Sequence, residues 1–131
     1  MPKQHLHSDQ AGPPLGAYSQ GIRAGDFIFV SGCGPIDAQT AQVRGETVAE
    51  QTHVALDNVT AILAAGGAGL AHVVRVGIVM RHLEQDRPIF NEVWAQRFGE
   101  HRPARSAIES PAFGRPGENA RFMIEVAAYR G

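Results

Sequence analysis

Two stretches of helical periodicity, each closed by glycine and each preceded or followed by a β-branched run, leave few ways to fold this chain. Thr47-Val48-Ala49-Glu50 has the spacing of a capping box, a hydroxyl for an N-terminal N–H and a glutamate reaching back, so a helix is expected to start there. Val48, Thr52, Ala55, Val59 and Ile62 continue it as an apolar stripe widened by Leu56 and Leu63, while Asp57 and Asn58 fall elsewhere on the wheel. Gly66-Gly67-Ala68-Gly69 ends it. Val73 to Arg81 is β-branched and reads as a strand. Asp86 then reads as the cap of a second helix with Pro88 in its first turn, Ile89, Phe90, Val93, Trp94 and Phe98 as its stripe and Gly99 as its stop. Two such stripes need a surface to cover. Paired strands supply it, which predicts an α+β sandwich with both helices on one face of a sheet.

The remaining strands follow from alternation. Tyr18 to Arg23 and Phe27 to Ser31 read as a hairpin turning at Ala24-Gly25-Asp26, and the second of the pair, apolar on both faces, is expected in a central position. Gly32-Cys33-Gly34-Pro35 breaks it, and Ile36 to Gly45 is a polar excursion, read as another hairpin. Pro103 starts a strand through Ile108, Ser110 to Asn119 is a loop rich in proline and glycine, and Ala120 to Tyr129 is the last strand. In that strand Phe122, Ile124, Val126 and Ala128 form one wholly apolar face, while Arg121, Met123, Glu125 and Ala127 form the other. The Arg105–Ala107 and Met123–Ala127 faces carry small or apolar residues that a single layer of helices leaves to be covered.

A chain of 131 residues, 44% hydrophobic, suits one domain over residues 1–131, with 1–14 as an extended or mobile lead-in. Lys and Arg total 12 against 13 for Asp and Glu, so no bulk positive charge is available for a phosphate backbone, which argues against nucleic acid as a partner. The polar start and the lack of a long apolar run argue against a signal sequence or a membrane span and for the cytoplasm. Cys33 is the only cysteine, so no internal disulfide can form.

The chemistry is expected around one arginine. Arg105 sits in the small, apolar segment Pro103-Ala104-Arg105-Ser106-Ala107-Ile108, sharing a face with Ala107 and Glu109, and nothing bulky on its own strand flanks the guanidinium. Its fork of donors is then free to hold a planar anion such as a carboxylate. A structural arginine paired with an acid is the other reading. Glu125 similarly interrupts a small, apolar face, and the two make either an anion clamp with an acid beside it or a salt bridge. Tyr18, Ser31 and Asn91 are placed to add hydroxyl and amide contacts. Walker, GxGxxG, HExxH and GxSxG motifs are absent, and the six histidines show no ligand spacing, so no metal is expected. Cys33 has no histidine or acid close in sequence to activate it and reads as a small buried residue before it reads as a nucleophile.

Gly16-Ala17-Tyr18-Ser19-Gln20, Phe29-Val30-Ser31-Gly32, Glu50-Gln51-Thr52 through Asn58, Asn91-Glu92-Val93-Trp94, Phe98-Gly99-Glu100-His101 and Pro103-Ala104-Arg105-Ser106 occur in order over nearly the whole chain. In this the sequence resembles the RidA/YjgF family of reactive-intermediate deaminases, also labelled L-PSP endoribonucleases. The resemblance implies a chorismate-mutase-like α+β sandwich, with a mixed β-sheet and two helices packed on one face, assembled as a homotrimer with ligand sites between subunits. It implies hydrolysis of 2-imino or enamine acids, such as imines derived from 2-aminoacrylate, to 2-keto acids and ammonia, with no metal or cofactor. Carried across by residue, Arg105 resembles the arginine that holds the substrate carboxylate and Glu125 the acid that positions water or moves protons. Tyr18, Ser31, Gly32 and Asn91 match the pocket wall, and the backbone of Ala107 stands in for a cysteine's main-chain contact.

Three features depart from that pattern. Cys33 and Gly34 replace the usual Gln and Ile or Leu, the 110–119 loop is longer, and Ile124-Glu125-Val126-Ala127 has one acid where many members have two alternating glutamates. The altered wall and long loop motivate an alternative, deamination of a larger enamine acid such as an aminomuconate. The family's other labels add a third reading, a non-catalytic ligand-sensing or RNA-directed role.

Overall fold

The computed structural model describes residues 2–115 and 117–131. In chain order the elements are β1 (Lys3–Leu6), β2 (Gly21–Ala24), β3 (Phe27–Cys33), α1 (Val48–Ala65), β4 (Val73–Met80), α2 (Leu83–Phe98), β5 (Ala104–Glu109) and β6 (Phe122–Tyr129), with a 3-10 turn at Leu70–His72 before β4. The strands make one six-stranded mixed sheet in the order β1-β2-β3-β6-β4-β5. β4 and β5 pair in parallel and the other neighbours are antiparallel.

This order puts both helices on one face. β3 and β4 each run antiparallel to β6, so they point the same way, as do β4 and β5. α1 and α2 therefore each connect like-directed strands while the chain moves across the sheet in one sense. Right-handed crossovers place such helices on the same side. There Leu56, Val59, Ile62 and Leu63 of α1 and Phe90, Trp94 and Phe98 of α2 pack in one cluster with Ile28, Val30, Val76, Ile78, Phe122, Ile124, Val126 and Ala128 of the sheet. Phe90 meets Phe122 edge-on at 5.1 Å, and Trp94 stacks on Phe98 at 4.3 Å. The capping box of α1 is formed, with the Glu50 N–H donating to Thr47 Oγ1 at 3.1 Å and the Thr47 N–H to Glu50 Oε1 at 3.0 Å. The excursion after β3 is a hairpin, closed by a bridge between Ile36 and Val43.

Several expectations change. The lead-in is extended but anchored: Lys3–Leu6 pairs with β2, and Leu6 and Ala11 are buried. The first hairpin strand begins at Gly21, not Tyr18. α2 starts at Leu83, whose N–H donates to Glu109 Oε1 of β5 at 2.9 Å, so Asp86 lies within the helix instead of capping it. Asp86 is buried because it pairs with Arg121 at 3.0 Å. Ile89, placed in the α2 stripe by periodicity, is 45% exposed. Asn58, placed off the α1 stripe, is buried, as are Gln51 and Gln20. Each of these amides ties a loop to the core. Gln51 donates to the Gly45 and Asn119 carbonyls and accepts from the Arg121 N–H.

The face away from the helices is open in the single chain. The strand register puts Phe27, Phe29, Arg75, Gly77, Ser106, Ile108, Met123, Glu125 and Ala127 on it. β3 is thus central and apolar on both faces as expected, yet Phe29 remains 51% exposed.

Candidate functional site

Arg105 sits on β5, which lies at one edge of the sheet. It pairs in register with Val76, whose side chain is buried under the helices, so its guanidinium points to the helix side, towards α2. There it lies 5.1 Å over the Trp94 ring and 5.9 Å from the Phe90 centroid, and Nη2 donates to Asn91 Oδ1 at 2.7 Å. The neighbouring strand residues are small, as expected, but the aromatic floor supplied by α2 is bulky. That floor desolvates the guanidinium, and Arg87 adds a like charge, so both hold its pKa below the ordinary arginine value. Among the described residues no carboxylate pairs with Arg105. With five N–H donors and one committed to Asn91, it keeps a fork for an anion. Ala107, two residues along the same face, packs against the core.

Tyr18, Ser31 and Gly32 form a second cluster. β3 and β6 match Val30 with Val126 and then Cys33 with Ile124, so Ser31 and Gly32 together oppose Glu125 in a bulge. Ser31 Oγ donates to the Ser19 carbonyl at 2.6 Å and its N–H to the Gln20 carbonyl at 2.9 Å, while the Tyr18 hydroxyl accepts from the Leu15 N–H at 3.1 Å. A Cβ on Gly32 would fall 3.1 Å from the Met123 methyl, so glycine allows the close approach of β6. These residues line a cavity of about 180 Å³ whose wall also includes Cys33, Gly34 and Met123. Cys33 is buried in its wall, and desolvation pushes its thiol up to about 12, which leaves it protonated and a poor nucleophile.

Glu125 lies on the open face. Gly77 stands beside it in register, and a Cβ there would sit 2.9 Å from Glu125 Oε1, so a larger residue would crowd the carboxylate. Around it is a depression of about 430 Å³ shared with Phe29, Arg75 and Ser106, in which Arg75 Nη2 donates to Ser106 Oγ at 2.7 Å. Glu125 and Arg105 therefore belong to opposite faces of one sheet. The intrachain salt bridge between them, one of the two readings of that pair, does not form. Met123, two residues before Glu125 on the same strand face, lines the Tyr18 cavity, and Glu125 does not. Among the described residues no cluster of three or more His, Cys, Asp or Glu side chains is placed to hold a metal ion.

Sequence reasoning did not find the aromatic floor of Arg105 or the Arg75–Ser106 contact. The first was available, since Phe90, Asn91 and Trp94 occupy adjoining turns of one helix. The second depends on parallel pairing of β4 with β5, which no local pattern encodes.

The family model described as Endoribonuclease L-PSP matches residues 9–130. The chain belongs to this family, which is also the RidA/YjgF family. A RutC family protein of Pyrococcus abyssi is 38% identical to this RidA-family chain over 130 residues, covering 99% of each. Reactive Intermediate Deaminase A of Arabidopsis thaliana is 33% identical over 126 residues, covering 96% of this chain and 65% of that one. The crystal structure of Escherichia coli TdcF with bound serine has a TM-score of 0.88 at 29% identity, covering 98% of this chain and 99% of that one. The mixed sheet carrying two helices on one face is thus the RidA-family fold.

Proposed function

We propose that the protein is a hydrolytic deaminase of reactive 2-imino and enamine acids, releasing the 2-keto acid and ammonia. The observation that carries this reading is Arg105, an arginine without an acid partner among the described residues, half-buried on an aromatic floor and oriented by Asn91. Such a group is prepared for a carboxylate. Relatives named as reactive intermediate deaminases, and a family structure that holds serine, supply the substrate class.

In this mechanism Arg105 grips the substrate carboxylate and fixes the C=N carbon. Water adds its oxygen to that carbon and a proton to the nitrogen; the C–N bond then breaks, ammonia leaves and the carbonyl forms. Glu125 is the group assigned to take the proton from water and return it to nitrogen. Tyr18, Ser31, Gly32 and the Ala107 backbone line the pocket. Glu125 lies across the β3–β6 bulge from Ser31 and Gly32, whereas Arg105 lies on the other face at the far edge of the sheet, a separation that a site shared between subunits would close. A homotrimer completes it, the open apolar sheet face being its interface. No helix among the described residues is long and apolar enough to cross a membrane, and the reading places the enzyme in the cytoplasm.

Coupling the purified protein to a pyridoxal-phosphate dehydratase and following keto-acid release tests the reading, with Arg105→Ala as control. Acceleration by the wild type and its loss in the variant are expected. RNA cleavage abolished by the same substitution, with no effect on imines, would favour the endoribonuclease label instead; the formal net charge of -1 gives RNA little to hold.

A further inference from the structure

Two contacts fix how α2 lies along β5. Arg105 Nη2 donates to Asn91 Oδ1 at 2.7 Å, and the Leu83 N–H donates to Glu109 Oε1 at 2.9 Å. Between these ties run eight residue steps of helix, about 12 Å, and four of strand, about 13 Å, so the two elements keep in step over the whole interval. Arg87 is midway between Leu83 and Asn91 and, at four-residue spacing, on the same side of the helix as both. Ala107 is midway between Arg105 and Glu109 on the same strand face. This puts Arg87 beside Ala107, about 6 Å along the helix from Asn91, the residue that holds the Arg105 guanidinium. The like charge that Arg87 exerts on Arg105 agrees with the placement.

Neither guanidinium has a counter-ion. Among the described residues no carboxylate forms a salt bridge with Arg87 or Arg105, and Glu109, the acid of this strip, gives an oxygen to the start of α2. Two unneutralised like charges side by side repel each other. A ligand with one carboxylate, held by Arg105, leaves Arg87 unpaired, whereas a ligand with two relieves the repulsion at both ends. The strip between the arginines has room for its chain, since Ala107 presents only a methyl group there and Arg87 is exposed.

We infer that Arg87 holds a second carboxylate, so that the protein selects 2-imino dicarboxylic acids of four or five carbons, with Arg105 on the carboxylate beside the C=N carbon and Arg87 on the distal one. The inference rests on the deaminase reading and deepens it. The imines of D-glutamate and D-norvaline share a five-carbon chain and differ in the distal carboxylate. Generated by D-aspartate oxidase and D-amino-acid oxidase, they are compared as substrates of the wild type, Arg87→Gln and Arg87→Glu, with folding checked by circular dichroism. The wild type is expected to favour the glutamate imine by at least about fivefold in kcat/KM, the scale of a charge pair at an exposed site, and added salt should shrink that preference. Arg87→Gln should bring the ratio close to one and Arg87→Glu should reverse it; if Arg87→Glu does not fold, the shift in Arg87→Gln decides. A wild-type ratio near one, or a ratio unmoved in folded variants, overturns the second carboxylate site while leaving the deaminase standing. If neither imine is turned over, the deaminase reading fails and binding decides the site separately. Calorimetry should then show 2-oxoglutarate bound tighter than 2-oxopentanoate, and this preference lost in Arg87→Gln; equal binding of the two overturns it.

Discussion

Arg105 illustrates how a charge is prepared by what surrounds it. The Trp94 ring removes water from one side, Asn91 takes one donor, and the remaining fork is left for a planar acid. Lysine would keep the charge and lose the fork. Arg105→Lys is expected to lower kcat/KM for imine hydrolysis by on the order of a hundredfold, roughly 2.7 kcal/mol of transition-state binding, with an unchanged circular dichroism spectrum; wild-type kinetics from the variant would remove the clamp. Cys33 behaves oppositely, since its surroundings offer only burial. Its thiol is pushed up to about 12, so the folded chain keeps a proton that the unfolded chain gives up from the ordinary value of 9.0. The unfolded state is favoured increasingly as pH climbs through that window, and stability contributed by the protonated thiol is complete below it. Urea melts between pH 8 and 11 should show a steeper alkaline loss for the wild type than for Cys33→Ala. The same thiol should resist iodoacetamide at pH 8 until the protein is unfolded.

The helices show which local signals act alone and which depend on partners. The start of α1 is local: Thr47 and Glu50 cap each other through the backbone, and Glu50 is held below the usual carboxylate range by the Thr47 and Glu46 N–H groups. Thr47→Ala is expected to cost about 1 kcal/mol by denaturant titration. The start of α2 is not local. Asp86 has the chemistry of a cap and a position in the first turn, but Arg121 at the entrance to β6 draws it into the interior, and the helix begins three residues earlier on a carboxylate from β5. Asp86→Ala would leave Arg121 without that partner. Because Arg121 remains 30% exposed and can be rehydrated in part, the loss should lie near 2 to 3 kcal/mol, at or below the lower end for a broken buried pair. A change within a few tenths would show the pair to be incidental.

At the scale of the molecule the sheet is covered on one side and bare on the other. Phe27, Phe29, Val74, Ile108 and Tyr129 are each at least 44% exposed in the single chain, and Phe29, Ile108 and Ala127 surround the Glu125 depression. An apolar face of that kind calls for a protein partner. Sedimentation equilibrium should therefore give a trimer for the wild type and a smaller species for Phe29→Asp. With Arg105 and Glu125 on opposite faces of one sheet, the proposed site between subunits predicts that co-refolding inactive Arg105→Ala with inactive Tyr18→Phe or Glu125→Gln restores part of the activity in at least one mixture. A monomer, or no recovery in any mixture, would remove the shared site.

The sequence alone determined that there are two helices, where α1 starts and where both stop, and the last strand's two faces, because a capping box, glycine stops and alternation are properties of neighbouring residues. It also placed the chain in its family through motifs spread over its length. What it left undecided are the relations that cross the sheet. Whether Lys3–Leu6 is free or paired depends on an open edge at β2, and whether Asn58 faces water depends on the loops that need its amide. Arg105 and Glu125 look alike as isolated charges on small-residue strands. The register of β5 and β6 against β4 decided that they point to opposite sides, since a side chain's face is fixed only relative to its partner strand.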